Sequence, residues 1–178
     1  MIYLFKVIIH FFRRMCIFRI PAHPNKKHGG ENVISIAVAE GNSRALYDAL
    51  SDALHRRGAS AELVSCCAGD SIRCDLLLCL RADLLPAQAK VQALVAAEDA
   101  AAAAALSCQA ETVVTCGLDS RCTLTPSALL DGGGMATLQR EIPTLCGGVC
   151  LPQEIPLDDL PGPPEQRLLL AGALLLME

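Results

Sequence analysis

The sequence predicts an α/β fold: a mainly parallel, Rossmann-like sheet with flanking helices and a C-terminal β-hairpin extension. Three observations carry this. Continuous apolar runs, the first over Val33–Ala39, fit strands buried on both faces. Helical periods alternate with them, the clearest over Arg44–Arg57. After Gly117 the helical period stops, and two extended stretches flank the turn Asp131–Gly134.

Taken in order, Val33–Ala39 is a strand and Glu40–Ser43 a turn, with Asn42 or Ser43 as helix N-cap. Ala45, Leu46, Ala49, Leu50, Ala53 and Leu54 fall at helical spacing, and Gly58 stops that helix. Ala61–Val64 is a second strand, so a strand–helix–strand unit opens a parallel sheet. Leu76–Leu80 is a third strand, and Pro86–Lys90 reads as a short helix or turn. Val91–Ala97 is a further strand by position, although its Ala and Gln make it weaker. Six consecutive alanines from Ala100 favour a helix over Glu98–Leu106. Thr112–Gly117 is the clearest late strand. Thr123–Leu130 and Met135–Glu141 make the hairpin, and Val149–Leu157 is again extended. Pro161–Pro164 is a linker before an apolar terminal helix, Glu165–Met177. That helix is too short to span a bilayer and is expected to pack on the domain.

The composition changes near residue 32. All four Phe lie in the first 20 residues, and Tyr47 is the one aromatic after residue 32. Residues 1–32 hold six of the 15 Lys and Arg and one of the 19 acids, a net of +5. Nine basic and 18 acidic residues remain for the body, a net of −9. Basic residues interrupt the apolar stretches, which argues against a secretory signal and a membrane span. A basic amphipathic anchor competes with a second reading, in which Gly29–Val33 reflects a ribosome-binding site and a start codon at Val33. The expectation is a non-native or disordered extension over 1–32, a domain over 33–160, and a linker with terminal helix over 161–178.

Nine of the ten cysteines lie in the body, none in a C-x-x-C pair, and their spacings fit no zinc pattern. Cys79 sits inside the apolar run Leu76–Leu80, where cysteine acts as a small hydrophobe. Free thiols, no metal and a cytoplasmic location are expected. Cys146 and Cys150 are the one pair spaced for a redox role.

The turn Ala96-Ala97-Glu98-Asp99 followed by Val113-Val-Thr-Cys-Gly117 and a β-rich tail resembles part of the central domain of Mur ligases. These are the ATP-dependent amino-acid ligases of peptidoglycan synthesis. The stretches Thr112–Ser127 and Leu138–Glu154 resemble short, uncharacterised bacterial proteins that look like a trimmed piece of that domain. The resemblance covers roughly Ile34–Leu157 and is most specific after residue 110.

That family holds ATP on a glycine-rich loop ending Gly-Lys-Ser/Thr. The corresponding turn here is Glu40-Gly-Asn-Ser-Arg-Ala45, without a lysine. Lys90 and His55 are the only Lys and His of the body, where the family uses a carbamylated Lys and a metal-binding His. Neither of the ligase's other two domains is expected within these residues. The resemblance therefore implies a Mur-like domain without ligation, acting as a binding or interaction module.

The candidate ligand-binding residues are Gly41, Asn42 and Ser43 at a helix N-terminus, and Glu98 and Asp99 at the turn that lies near the nucleotide in the ligases. A capped turn and a helix-dipole complement are their plain structural alternatives. Asp119–Thr123 with Gln139, Arg140 and Glu141 form a candidate recognition surface. The partner is then an unknown protein or a small nucleotide, and no cofactor is required. The acidic body speaks against nucleic acid.

Overall fold

The computed structural model describes residues 33–41, 43–130 and 133–178. The extension 1–32, Asn42 and the Asp131–Gly132 part of the expected turn lie outside the described residues.

The chain runs β1 (Ile34–Ala39), α1 (Ala45–Arg56), β2 (Ala61–Cys66), β3 (Ser71–Cys79), a 3-10 turn (Ala82–Leu84), β4 (Gln88–Ala97), α2 (Glu98–Ala104) and β5 (Cys108–Cys116). It continues through β6 (Leu124–Leu130), β7 (Gly133–Leu138), β8 (Ile142–Pro143), β9 (Val149–Cys150), β10 (Glu154–Pro156) and α3 (Pro164–Leu176). Eight strands form one sheet in the order β10-β7-β6-β5-β4-β3-β1-β2, with β8 and β9 a separate two-stranded hairpin. β1 to β5 pair in parallel, and the β6–β7 and β7–β10 pairs are antiparallel. This is the expected α/β architecture, with its hairpin extension on the β5 side.

The winding explains where the helices lie. From β1 the chain crosses outward through α1 to β2, and from β4 it crosses the opposite way through α2 to β5. Right-handed crossovers of opposite direction place their helices on opposite faces. One face buries Leu46, Leu50 and Leu54 of α1 and Leu168–Leu176 of α3 against Ile36, Val38, Leu76, Leu78, Val95 and Val114. The other buries Ala100 and Ala104 of α2 against Ala37, Leu77, Cys79, Leu94 and Ala96.

Three central strands begin earlier than their apolar runs. β3 starts at Ser71 instead of Leu76, β5 at Cys108 instead of Thr112, and β4 at Gln88, inside the expected helix or turn Pro86–Lys90. Their first halves alternate polar and apolar residues, because one side faces solvent. Both ladders then skip a pair, Asp75–Gln92 and Gln92–Glu111. Burial changes phase there: Ile72, Ala89 and Val91 join the same cluster as Leu77, Leu94 and Ala96.

The strands bend along this line. Cys66 and Cys79 both pair at Ala39, and a straight β3 would carry Ser71 roughly 26 Å below Cys79. The short link from Cys66 to Ser71 reaches only about 18 Å. The bend folds the lower halves over the sheet and brings the Cys74 thiol against the Ala37 backbone. Asp75 staples the corner. Its carboxylate accepts from the Ser35 N–H (2.8 Å), the Ser35 hydroxyl (2.7 Å) and the Gln92 amide (3.2 Å).

α2 stops at Ala104, two residues short of its expected end, and Leu106 stands 94% exposed in the turn that follows. The expected extended piece Val149–Leu157 divides into β9 and β10.

Candidate functional site

In an open α/β sheet a ligand crevice lies at the carboxyl ends of the strands, where the winding reverses. Here that point lies between β1 and β3, and the residues that leave it are Glu40, Gly41, Leu80 and Arg81. The glycine is needed. Gly41 has φ +65°, and a Cβ there would stand 3.1 Å from Leu84 Cδ2, so the loop packs directly on the 3-10 turn.

Anion binding at this point requires free amides at the start of α1. None is free among the first three. The Ala45 N–H donates to Ser43 Oγ at 3.2 Å. The Leu46 N–H donates to Glu40 Oε2 at 2.9 Å, and the Tyr47 N–H to both Glu40 oxygens at 3.3 Å. Glu40 is 9% exposed. Burial raises its carboxyl above the ordinary value, and the two amides oppose that rise. A side chain of the protein therefore occupies the seat that a phosphate would take.

Glu98 and Asp99 open α2 and are exposed. β3 separates their strand from that of Gly41 and Ser43, so the candidates belong to two different strand ends. Glu98 instead leans over Gly117, where an added Cβ would meet Glu98 Oε2 at 3.1 Å and Cys122 Sγ at 3.0 Å. It thereby joins the polar group that follows β5.

That group is the one set of sequence candidates the fold gathers. Asp119 accepts from the Arg121 N–H at 2.8 Å and pairs with its guanidinium at 2.8 Å. The side-chain hydrogen bond from Arg121 is the main reason the Asp119 carboxyl falls to about 2. Arg140 donates to the Arg121 carbonyl. Thr115 Oγ1 accepts from the Thr123 N–H at 2.8 Å, and the Gln139 amide donates to Thr125 Oγ1 at 2.7 Å. Thr115 and Thr125 lie outside the sequence candidates; they sit inside strands, and only pairing across the sheet reveals them. Asp119, Arg121, Thr123 and Gln139 are thus tied to one another's strands and loop, and burial raises the one thiol of the group, Cys122, above its ordinary value.

Cys66, Cys74, Cys79 and Cys108 converge on the α2 side of the sheet. Burial pushes the Cys66 and Cys74 thiols up to about 12 and Cys79 to about 11. Such thiols are protonated at neutral pH and chemically quiet. Among the described residues no group of three or more His, Cys, Asp or Glu converges as a metal site, and no helix is long and apolar enough to cross a membrane. An open depression of about 570 Å³ lies at the far end of the sheet, lined by Ser71, Gln88, Lys90, Ser107 and Gln109.

A scan against protein-family models, a search of curated proteins and a search of solved structures each returned no match.

Proposed function

We propose that this chain is a non-catalytic, Mur-ligase-like α/β domain that serves as an interaction module, with cell-envelope synthesis as its setting. One observation carries the non-catalytic part: Glu40 fills the amides at the start of α1. A nucleotide phosphate entering there has to displace a buried carboxylate and meets no lysine in the turn. The same observation weighs against a nucleotide or UDP-sugar carrier, and the raised Cys66, Cys74 and Cys79 thiols weigh against a redox role for those three. The setting in the cell envelope rests on the resemblance of Thr112–Ser127 and Leu138–Glu154 alone.

The test is thermal unfolding of the full chain with ATP, ADP and UDP-sugars, each with Mg²⁺. A ligand at 100 times its dissociation constant adds about 2.7 kcal/mol, a displacement of several degrees for a domain of this size. No displacement is expected. A saturable rise in Tm with any nucleotide, lost in Ser43→Ala, refutes the reading.

A further inference from the structure

β5 and β6 are joined by the single pair Cys116–Leu124. Beyond it β6 and β7 run on past the end of β5. Before it, from Cys108 to Val113, no strand is paired to the edge of β5 away from β4 among the described residues; β8 lies close to β5 without pairing to it. Thr115 is engaged by the loop, its Oγ1 accepting from the Thr123 N–H at 2.8 Å, whereas among the described residues no turn or loop backbone group bonds to the backbone from Cys108 to Val113. From Cys108 to Val113 one side of the β5 backbone thus has no strand partner among the described residues, and beyond it Val114 is buried.

Open edges invite pairing, and folded chains usually blunt them. The β10 edge of this sheet is blunted, and one carbonyl of the β2 edge is taken up by a side chain. β10 is three residues long and ends in Pro156. On β2 the Tyr47 hydroxyl donates to the Leu63 carbonyl at 3.4 Å, with the Arg44 guanidinium 4.4 Å above the Tyr47 ring. β5 has no such guard: Cys108–Cys116 contains no Pro, Lys or Arg. Its surface is apolar and acidic. Val113 is 44% exposed, Leu106 and Leu118 flank the strand in the open, and Glu111 is exposed and in no ion pair among the described residues.

We propose that the edge of β5 between Cys108 and Val113 is a docking site for one extended segment of a partner protein, which adds as a strand and sets a Lys or Arg against Glu111 within an apolar stretch. Backbone pairing supplies affinity in such a complex, and the side chains at Glu111 and Val113 supply selectivity. Leu124 closes the end of this edge, so the guest is a single segment that stops short of β6. This assignment rests on the interaction-module reading and names its partner class.

The test uses the full chain and a phage library of random linear dodecapeptides. Recovered peptides are expected to carry a Lys or Arg inside an alternating apolar run. With the best of them as a synthetic peptide, Glu111→Lys and Val113→Lys are each expected to weaken binding about tenfold or more. N-methylation of alternate peptide amides should abolish binding, while Leu151→Lys on the chain should leave it unchanged. Circular dichroism confirms that each variant is folded. A library that yields no binder, or binders indifferent to both β5 substitutions or to N-methylation, overturns the site. So does slow hydrogen exchange along both alternating sets of β5 amides in the unliganded chain, which means the chain covers this edge itself. A dimer broken by Val113→Lys overturns the choice of occupant. Each of these results leaves the module reading standing, since a nucleotide-dependent rise in Tm is what removes that.

Discussion

At Glu40 the electrostatics and the architecture meet. Burial raises its carboxyl above the ordinary 4.5, and the amides of Tyr47 and Leu46 offset only part of the rise. A raised folded value means the proton is held more tightly in the native state. Glu40 therefore contributes most below its unfolded value, and the contribution is lost as pH rises through the folded one. Glu40→Gln should flatten this component, so the stability gap between wild type and variant shifts toward wild type as pH falls from 7 to 4.5. Urea midpoints at the two values read it. Glu40→Ala should cost about 1–3 kcal/mol at pH 7, because two amides at the start of α1 lose their acceptor. Asp119 behaves oppositely. Its contribution is present above the ordinary 3.8 and is lost as pH falls toward about 2, and its exposure keeps it small.

α3 is the element on which the larger core depends. Gly172 lets it approach the sheet: a Cβ there would stand 3.0 Å from Val95 Cγ1 and 3.4 Å from Val114 Cγ1. Ala in place of Gly gains about 1 kcal/mol of helix propensity, while overpacking a filled core costs about 1–3 kcal/mol. Gly172→Ala should therefore destabilise by up to about 2 kcal/mol, seen as a lower urea midpoint at unchanged m-value. A rise in the midpoint would mean that Val95 can turn aside at little cost. The helices were legible in the sequence because the spacing of Leu46, Leu50 and Leu54 states which face is buried. The bent strands were not, because Ser71–Cys74 and Gln88–Val91 alternate like half-exposed strands and lack continuous apolar runs.

For the molecule as a whole, the two clusters lie on opposite faces of one sheet and share its strands. Unfolding should be cooperative, with a single transition by fluorescence of Tyr47 and by circular dichroism. Removing residues 161–178 strips six buried leucines from the α1 side of the sheet, Leu168–Leu170 and Leu174–Leu176. Each is worth ~1.5–3 kcal/mol, and together they match or exceed the about 5–15 kcal/mol that holds a domain folded. The shortened chain should lack a cooperative transition altogether. A sharp transition within a few degrees of the full chain would place α3 outside the core.

The sequence by itself determined the class of fold, the places of the three helices to within two residues and the absence of a lysine in the turn after β1. Each of these is a property of local composition and period, which short windows of chain already contain. Only the tertiary structure decided which carboxylate caps α1, where the strands bend, and that β5 keeps an edge without a strand partner beside a hairpin it touches at one pair. Those depend on what stands next to each residue across the sheet. Glu40 and Leu46 are close in sequence, yet the fill of that site follows from the turn at Gly41 packing on Leu84. Ser35 and Asp75 meet across 40 positions, and no local pattern in either segment announces the other.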